Sequence, residues 1–511
     1  MTKNSGTVPA GYLPLPIAAF VAGLCSIVYE LLIATTVSYF LGDSVKYFSV
    51  TIGLYLAATG LGSLFSKYVT GGIPARFVLV ELGLAAAGGL SVPALYLAYA
   101  AGPIFLPVYI IFTIGVGFLI GLEIPFLTRM MEKHCQLRVN IANILSLDYF
   151  GALLATMAFP FVLLPFVGLY QSSILFGLVN MSIGFLMLRF FRPEIGQAFK
   201  ALSAATIGLT IILAAAFFLA QGALKQWEQS LYEDRIVFSA QSPYQKIVLT
   251  KYRDDLRLYL DGNLQFSSID EHRYHESLVH LPLALSHISV ERVLLLGAGD
   301  GLAAKELLKY PDLKEIVIVD LDPRMIDLAK TNPHLLAVNE NSLASDKVSI
   351  VIGDAFSYLE NNRQPFDFII ADLPDPNNNG LARLYSRQFY QLVRRNLAPG
   401  GFMVTQATSP YFARQAFWCV AATIADAGFS NIYPYHANVP SFGEWGFVLA
   451  ADARLNIDLI DLKVETRYLN KAVIERAFVF PEDIGPVATE VNYMDKPVLL
   501  DYYLRGWRYY R

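Results

Sequence analysis

Residues Arg292–Asp322 read RVLLLGAGDGLAAKELLKYPDLKEIVIVDLD, and this stretch decides the fold of the second half of the chain. An apolar run leads into three glycines, then into a helix-like segment, and then into a second apolar run that ends at Asp320. This pattern predicts a βαβ unit with a glycine turn at the carboxyl end of its first strand. Gly297, Gly299 and Gly301 let the backbone approach a ligand closely, and Asp320 is placed to accept hydrogen bonds from a ribose.

The surrounding sequence continues the alternation of strands and helices. Short alternating runs before residue 270 predict a small β subdomain with a hairpin turn at Asp261-Gly262. Later apolar runs, interleaved with helical patterns, predict a doubly wound, mostly parallel, Rossmann-like sheet. We therefore expect a multi-span helical domain in residues 1–222, a small β subdomain with a lead-in helix in 223–285, and a Rossmann-like domain in 286–511.

Composition separates the two halves. Hydrophobic residues make up 55% of the 511 residues and charged residues only 16%, which is too apolar for an ordinary soluble enzyme. Residues 1–222 carry 10 Lys and Arg against 7 Asp and Glu, which leaves a net charge of −7 on residues 223–511. An acidic soluble half argues against a nucleic-acid partner. The same balance is compatible with a cationic substrate.

The first half contains seven apolar stretches long enough to span a bilayer, so we expect an all-α transmembrane bundle in the cell membrane. These stretches are Leu15–Leu41, Tyr47–Val69, Phe77–Ala100, Ile104–Leu127, Ile144–Val167, Ser172–Phe191 and Leu202–Leu219. Ala58, Gly62 and Ser66 lie four residues apart, a spacing typical of closely packed helices in membranes.

Four acidic residues fall inside or near the ends of these stretches. Ionisable groups in hydrocarbon are costly, so Glu30, Glu81, Glu123 and Asp148 are candidates for a functional site. Structural roles are the alternative: Glu81 could pair with Arg76, and Glu123 could lie at the membrane interface. Glu30 and Asp148 have no comparable structural explanation.

The charges of the loops predict how the helices are oriented in the membrane. The basic residues cluster after the second, fourth and sixth stretches, at Lys67, Arg76, Arg129, Lys133, Arg138, Arg189, Arg192 and Lys200. By the positive-inside rule, these loops and the N-terminus are cytoplasmic, and seven crossings then place the second half outside. Either one stretch is not a crossing or the second half is not cytosolic.

Five carboxylates follow the predicted strands, where ligands of open α/β sheets bind. They are Asp300, Asp320, Asp354, Asp372 and Asp375. Individually such residues often only cap the next helix, but together they require cationic or hydroxyl-rich ligands, or a metal. Methyltransferases of this fold that use S-adenosylmethionine (AdoMet) commonly have a small neutral residue where Asp300 stands. A carboxylate there would repel the carboxylate of AdoMet and attract the ammonium group of decarboxylated AdoMet.

At this point the chain resembles the spermidine synthase (polyamine aminopropyltransferase) family, over about residues 241–484. A subset of that family carries a multi-span N-terminal domain, and this chain is similar to that subset. The matching stretches are SPYQKIVL, LYLDGNLQ, DEHRYHESLVHLPL, LLLGAGDG, GDAF, FDFIIADLPDP and RYLNKAVIERAFVFPED.

The resemblance implies transfer of an aminopropyl group from decarboxylated AdoMet to putrescine, without a cofactor or metal. Gln245 and Asp320 would then contact the nucleoside of the donor, and Asp354 with Ala355 would contact its adenine. Asp320 stands where the family usually has Glu, so its reach to the ribose is shorter.

The same resemblance assigns residues to the amino groups of the two substrates. Tyr274, His275 and Asp300 would hold amino groups of donor or acceptor, Asp372 would accept the proton, and Asp375 would help hold the attacking amine. The loop after Asp375 and the later PSFGEWGF segment depart from the family pattern, and these two loops shape the acceptor site.

Alternatives from other classes stay open. One is an AdoMet-dependent methyltransferase of the same fold, which Asp300 disfavours. Another is a polyamine transporter or sensor whose second half only binds, which Glu30 and Asp148 motivate. Family resemblance also implies a homodimer, and the cytosolic origin of the donor favours a cytoplasmic catalytic domain, against the loop charges.

Overall fold

The computed structural model describes residues 14–41, 44–132, 137–286, 288–455 and 459–508. The chain divides into two compact units, Met1–Glu233 and Asp234–Arg511. The first unit is helical, and the second combines two β-sheets with helices. The last helix of the first unit, Phe199–Ser230, continues past the seventh apolar stretch. The domain boundary predicted at residue 222 therefore falls inside this helix.

The described part of the first unit is built from helices of very different lengths. They are α1 (Pro14–Leu41), α2 (Ser44–Phe65), α3 (Ile73–Gly89), α4 (Ser91–Ala100), α5 (Phe105–Glu132), α6 (Leu137–Ala158), α7 (Leu169–Phe190), α8 (Arg192–Ile195) and α9 (Phe199–Ser230).

Within the described ranges, seven helical stretches are long and apolar enough to cross a membrane. They coincide with the seven apolar stretches of the sequence, which confirms the predicted helical half. The third stretch is interrupted at Leu90, between α3 and α4. The fifth ends in a π-helical segment, Phe159–Val167, which contains Pro160 and Pro165. Proline lacks an amide donor, so regular α-helical hydrogen bonding cannot continue there.

Small residues bring α2 and α5 together. A Cβ atom placed on Gly62 would collide with the carbonyl oxygen of Phe118, and one on Gly121 would collide with that of Thr59. The Arg129 guanidinium donates to the backbone oxygen of Ser66 at 2.5 Å. The close packing predicted from the spacing of Ala58, Gly62 and Ser66 is therefore confirmed, since backbones approach where side chains are absent.

The acidic residues of the first unit have surroundings that differ from the structural roles considered in the sequence analysis. Glu81 and Glu123 are each only 2% exposed, and their side chains hydrogen-bond to each other. Glu81 therefore does not pair with the exposed Arg76, so that expectation is wrong, and Glu123 is buried beside Glu81 within the first unit. Glu30 and Asp148 are half-buried. Periodicity alone did not reveal that the two buried carboxyls, 42 positions apart, face each other.

The second unit begins with a four-stranded antiparallel sheet in sequential order. Asp261 and Gly262 join its last two strands with positive φ angles of 48° and 78°, which is the predicted two-residue hairpin turn. The strands are β1 (Arg235–Gln241), β2 (Lys246–Tyr252), β3 (Asp255–Leu260) and β4 (Asn263–Ser267).

A seven-stranded sheet forms the centre of the second unit. Its order is β10-β11-β9-β8-β5-β6-β7, in which β5 to β9 are parallel and β10 and β11 form an antiparallel edge. This confirms the predicted Rossmann-like, methyltransferase-type fold. The strands are β5 (Arg292–Gly297), β6 (Glu315–Asp320), β7 (Val348–Ile352), β8 (Phe366–Asp372), β9 (Leu397–Gln406), β10 (Asn431–Val439) and β11 (Gly443–Ala451).

Helices and two apolar cores cover both faces of this sheet. The lead-in helix α10 is buried almost all round, because it packs between the small sheet and the large one. The helices are α10 (Glu271–Leu285), α11 (Leu302–Leu307), α12 (Pro323–Thr331), α13 (Pro333–Asn339), α14 (Ala355–Asn361), α15 (Asn379–Ala382), α16 (Arg387–Arg395), α17 (Arg414–Asp426), α18 (Lys471–Ala477) and α19 (Val498–Trp507).

The strand order reverses at β5, which lies between β6 and β8. Such a switch point leaves a crevice outside the carboxyl ends of the strands, because the connections leave β5 and β8 in opposite directions. The glycine turn after β5 and the DLPDP segment after β8 therefore meet at one place.

Candidate active site

A cavity of about 510 Å³ lies at this crevice, within the second unit. It is lined by the carboxyl ends of β5, β6, β7 and β8, by α10, and by residues of the small sheet. Among its lining residues are eleven that the sequence predicted: Gln245, Tyr274, His275, Gly297, Gly299, Asp300, Asp320, Asp354, Ala355, Asp372 and Asp375. Gly301 is not part of the lining; it faces Ser342 and Leu343 instead.

The glycine turn brings backbone and carboxylates close together. Gly297 has a φ of 83°, and a Cβ there would collide with the carbonyl oxygen of Asp372. A Cβ on Gly299 would collide with the carboxylate of Asp320. At Gly301, with a φ of 84°, a Cβ would come within 2.8 Å of Ser342 Oγ. All three positions require glycine because there is no room for a Cβ atom. Gly297 and Gly301 also require it because their φ angles are positive.

Asp372 ends β8 and faces α10. Tyr274 Oη donates a hydrogen bond of 2.6 Å to Asp372 Oδ1. Desolvation raises the pKa of Asp372 to about 6, even though the charge of His275 and the bond from Tyr274 act against the rise. A carboxylate with this pKa is mostly ionised at neutral pH and is a stronger base than an ordinary aspartate.

Asp300 lies in the glycine turn and accepts a 2.9 Å hydrogen bond from the amide of Leu302. Desolvation raises its pKa, while the positive charge of His275 opposes the rise. Asp300 also raises the pKa of Asp372, so the two carboxylates share one electrostatic environment. Such a pair favours a cationic ligand, which would relieve the repulsion between them.

His275 is fixed by a carboxylate that the sequence reading did not single out. Its Nδ1 contacts Glu271 Oε2 at 2.8 Å, and Lys305 Nζ donates to Glu271 Oε1 at 2.8 Å. Burial would lower the pKa of His275, but Glu271, Asp300 and Asp372 raise it to about 9. The pKa of Glu271 is lowered to about 2 by His275 and Lys305, despite burial. The i,i+4 spacing of Glu271 and His275 on a helix was the available signal.

Asp375 is held by residues at the end of β9. Gln406 Nε2 lies 3.3 Å from Asp375 Oδ1, and Thr408 Oγ1 lies 3.4 Å from Asp375 Oδ2. Gln406 lines the cavity but was not predicted, because a single glutamine at a strand end carries no recognisable pattern.

Another end of the cavity contains Asp320, the last residue of β6, and Gln245, which lies just before β2. Asp320 accepts a 2.8 Å hydrogen bond from the amide of Asp322, and desolvation raises its pKa to about 6. Gln245 Nε2 donates to Asp322 Oδ2 at 3.0 Å, beside a 2.7 Å bond from Ser242 Oγ. Asp322 was not predicted as a partner of Gln245.

Asp354 and Ala355 lie at the start of α14. Asp354 caps the helix by accepting a 3.0 Å bond from the amide of Ser357, and it also forms an ion pair with Arg383. Helix capping, the structural alternative for strand-ending aspartates, is thus real at this position. The remaining carboxylate contact, with Arg383, is open to exchange because Arg383 is partly exposed.

Two aromatic residues close the side of the cavity near Tyr274. Phe442 meets the Tyr274 ring edge-on, with centroids 6.0 Å apart, and lies 5.1 Å from the Trp445 ring. Both line the cavity, while Trp445 Nε1 is buried without a hydrogen-bond partner among the described residues. An apolar wall here suits the methylene chain of a ligand.

The cavity lining does not include the other histidines of α10, His272 and His280. His280 Nε2 contacts Glu306 at 2.7 Å, and His287 lies outside the described residues. The part of the chain that the structure describes holds no group of three His, Cys, Asp or Glu placed to bind a metal ion.

Comparison with known proteins gives consistent matches. Residues 271–459 match the spermine/spermidine synthase domain family. A polyamine aminopropyltransferase of Ralstonia nicotianae is 42% identical over 504 residues, covering 96% of this chain and 98% of that protein. The polyamine aminopropyltransferase of Leptospira interrogans is 39% identical over 494 residues, again covering 96% and 98%. These alignments span both units.

Among solved structures, a spermidine synthase in complex with the transition-state analogue AdoDATO matches with a TM-score of 0.46 and 25% identity. The match covers 48% of this chain and 86% of that chain.

Proposed function

The chain belongs to the polyamine aminopropyltransferase family, and on that premise we propose that it transfers an aminopropyl group from decarboxylated AdoMet to putrescine. The products would be spermidine and methylthioadenosine. The observation that carries this proposal is the convergence of Asp300, Asp372 and Asp375 on one cavity. Three carboxylates in one enclosed space favour ligands with ammonium groups, and both substrates carry them.

The donor would lie across the strand ends. Asp320 and Gln245 would contact its ribose, and Asp354 with Ala355 its adenine, once Arg383 leaves Asp354. Asp300, with His275, would hold the ammonium group of the donor. The carboxylate of intact AdoMet would lie against Asp300 and be repelled, which disfavours methyl transfer.

The acceptor amine would lie between Tyr274, Asp372 and Asp375, with its methylene chain against Phe442 and Trp445. An amine with a pKa of about 10 is protonated at neutral pH and cannot attack. Asp372 would take that proton. The nitrogen then attacks the propyl carbon next to the sulfonium, the carbon–sulfur bond breaks, and sulfur departs neutral in methylthioadenosine.

The first unit supports membrane localisation. Its seven long apolar helices suit a multi-pass protein of the cell membrane, and the charged second unit would then be the catalytic domain on the cytoplasmic side, where AdoMet is made. We further propose that the protein is a homodimer, which the mass of the purified protein would test.

The test is a product search by mass spectrometry. Purified full-length protein is incubated with decarboxylated AdoMet and putrescine, and the expected products are spermidine and an equal amount of methylthioadenosine. Absence of any aminopropylated amine from a panel of diamines and triamines would refute the proposal. Tighter binding of AdoMet than of its decarboxylated form would favour the methyltransferase instead.

A further inference from the structure

Thr408 has a backbone conformation that its residue type disfavours. Its φ is +59°, in the left-handed region, and its side chain is completely buried. A β-branched residue is a rare outlier there, and such strain persists only where the surroundings impose it. Gly446 imposes it in part, because its amide donates to the Thr408 carbonyl oxygen at 2.9 Å. Gly446 lacks the Cβ that would block this approach.

The amide and the hydroxyl of Thr408 point into the network around Asp375. The Thr408 amide donates to Gln406 Oε1 at 2.9 Å, while its hydroxyl donates to Asp375 Oδ2 at 3.4 Å. Gln406 Nε2 contacts the other oxygen, Asp375 Oδ1, at 3.3 Å. The two oxygens of one carboxylate are thus approached by two different donors, which fixes the plane of the carboxylate.

Gln406 also fixes the backbone that carries Asp375. Its Nε2 donates to the carbonyl oxygen of Leu373 at 2.6 Å and contacts Tyr385 Oη at 2.5 Å. Tyr385 Oη in turn lies 3.0 Å from the carbonyl oxygens of Leu373 and Pro374. Gln406 thus holds the backbone next to Asp375 and one oxygen, Oδ1, of its carboxylate. Thr408 supplies the contact to the other oxygen, Oδ2, and so helps to oppose rotation of the carboxylate.

We propose that Thr408 is a positioning residue that orients Asp375 for the acceptor amine. Thr408 does not line the cavity, so it acts through Asp375 and not by touching the substrate. The strained backbone is what brings the hydroxyl within reach of the carboxylate. This role rests on the proposed function, in which Asp375 holds the attacking amine.

The test variant is Thr408→Val, which keeps the shape and β-branching of the side chain but removes its hydroxyl. We expect the KM for putrescine to rise by about 3- to 10-fold, the range expected for one weak hydrogen bond to a charged group. The KM for decarboxylated AdoMet and kcat should stay unchanged. Thr408→Ser restores the hydroxyl and should restore the KM for putrescine.

Two further variants separate orientation from general damage. Thr405→Val removes another buried hydroxyl, from β9 just before Thr408, one that bonds to the Gln406 carbonyl oxygen at 2.8 Å and does not reach Asp375. It should leave the KM for putrescine unchanged. In an Asp375→Asn background, Thr408→Val should cause no further rise, because the group that it orients is already altered.

The outcomes separate this role from the function itself. An active wild type whose Thr408→Val variant keeps the wild-type KM for putrescine overturns the role of Thr408 alone. An equal rise in Thr405→Val, or no recovery in Thr408→Ser, overturns it as well. A wild type that releases no methylthioadenosine with any amine overturns the proposed function and this role together.

Discussion

Asp372 shows how its surroundings change the chemistry of one side chain. Desolvation raises its pKa to about 6, and the hydrogen bond from Tyr274 limits that rise. In the proposed role of proton acceptor, Asp372 must be ionised, so activity should increase with pH through this value. At low pH the protonated carboxyl group cannot take the proton of the amine.

The first prediction follows from that bond. The acid limb of kcat/KM should have its midpoint near pH 6 in the wild type and at higher pH in Tyr274→Phe, which removes the donor that stabilises the ionised carboxylate. Tyr435→Phe is the control, because its hydroxyl bonds to the Ser277 carbonyl oxygen, away from Asp372. A midpoint that does not move in Tyr274→Phe would contradict the assignment of Asp372.

A second prediction concerns stability against pH. The pKa of His275 is about 9 in the folded protein and 6.5 as the ordinary value. Its pairing with Glu271 therefore stabilises the fold fully below about pH 6.5, and the stabilisation is lost as pH rises through about 9. The loss is on the order of 3 kcal/mol, taking about 1.4 kcal/mol per pKa unit.

Thermal unfolding of the full-length protein in detergent, across this pH range, measures the effect. The wild type should lose stability between about pH 6.5 and 9, whereas Glu271→Gln should be less stable at pH 6 and much less sensitive to this change. Glu315→Gln, which removes a partly exposed partner of Arg292, should follow the wild-type profile. An identical profile in Glu271→Gln would exclude the pairing as the cause.

The residues of the site could be predicted from the sequence where they belong to a local sequence pattern. The glycine turn and the strand-ending aspartates are local patterns, and all but Gly301 line the cavity. Gln406 and Arg383 could not be predicted in the same way, because each acts on a residue brought near only by folding. Glu271 differs, because its i,i+4 spacing to His275 is a local signal. The Gln245 contact with Asp322 spans 77 positions.

At the level of elements, the packing of α2 against α5 yields a third prediction. Gly121→Ala places a methyl group against the Thr59 carbonyl oxygen and should destabilise the protein by about 1–3 kcal/mol. Gly115→Ala, on the same helix, meets no atom within 4 Å. It should be neutral or stabilising, since alanine favours helix. Equal melting temperatures for the two variants would show that the helices do not approach closely at Gly121.

The elements themselves were largely predictable, because hydrophobic periodicity reports which faces are buried. Seven apolar stretches, the hairpin at Asp261-Gly262 and the alternating strands all follow from that signal. The interruption at Leu90 and the extension of α9 to Ser230 did not follow from it. Both depend on how helices meet their neighbours, which the order of apolar residues does not encode.

At the level of the whole molecule, the fourth prediction concerns orientation. We expect a cytoplasmic second unit because the proposed donor is made from cytosolic AdoMet, while the loop charges favour the opposite side. A fluorescent reporter that matures only in the cytoplasm, fused to the C-terminus, should be bright in a bacterial host. An alkaline phosphatase fusion should be inactive there. The reverse pair of results would place the catalytic unit outside.

The release of methylthioadenosine tests the central claim most directly. Purified protein is given decarboxylated AdoMet or AdoMet, each with a panel of diamines and triamines, and Asp372→Asn is measured in parallel. We predict release only with the decarboxylated donor, fastest with putrescine, and loss of release in Asp372→Asn. No release with any amine, or undiminished release in Asp372→Asn, would contradict aminopropyl transfer by this site.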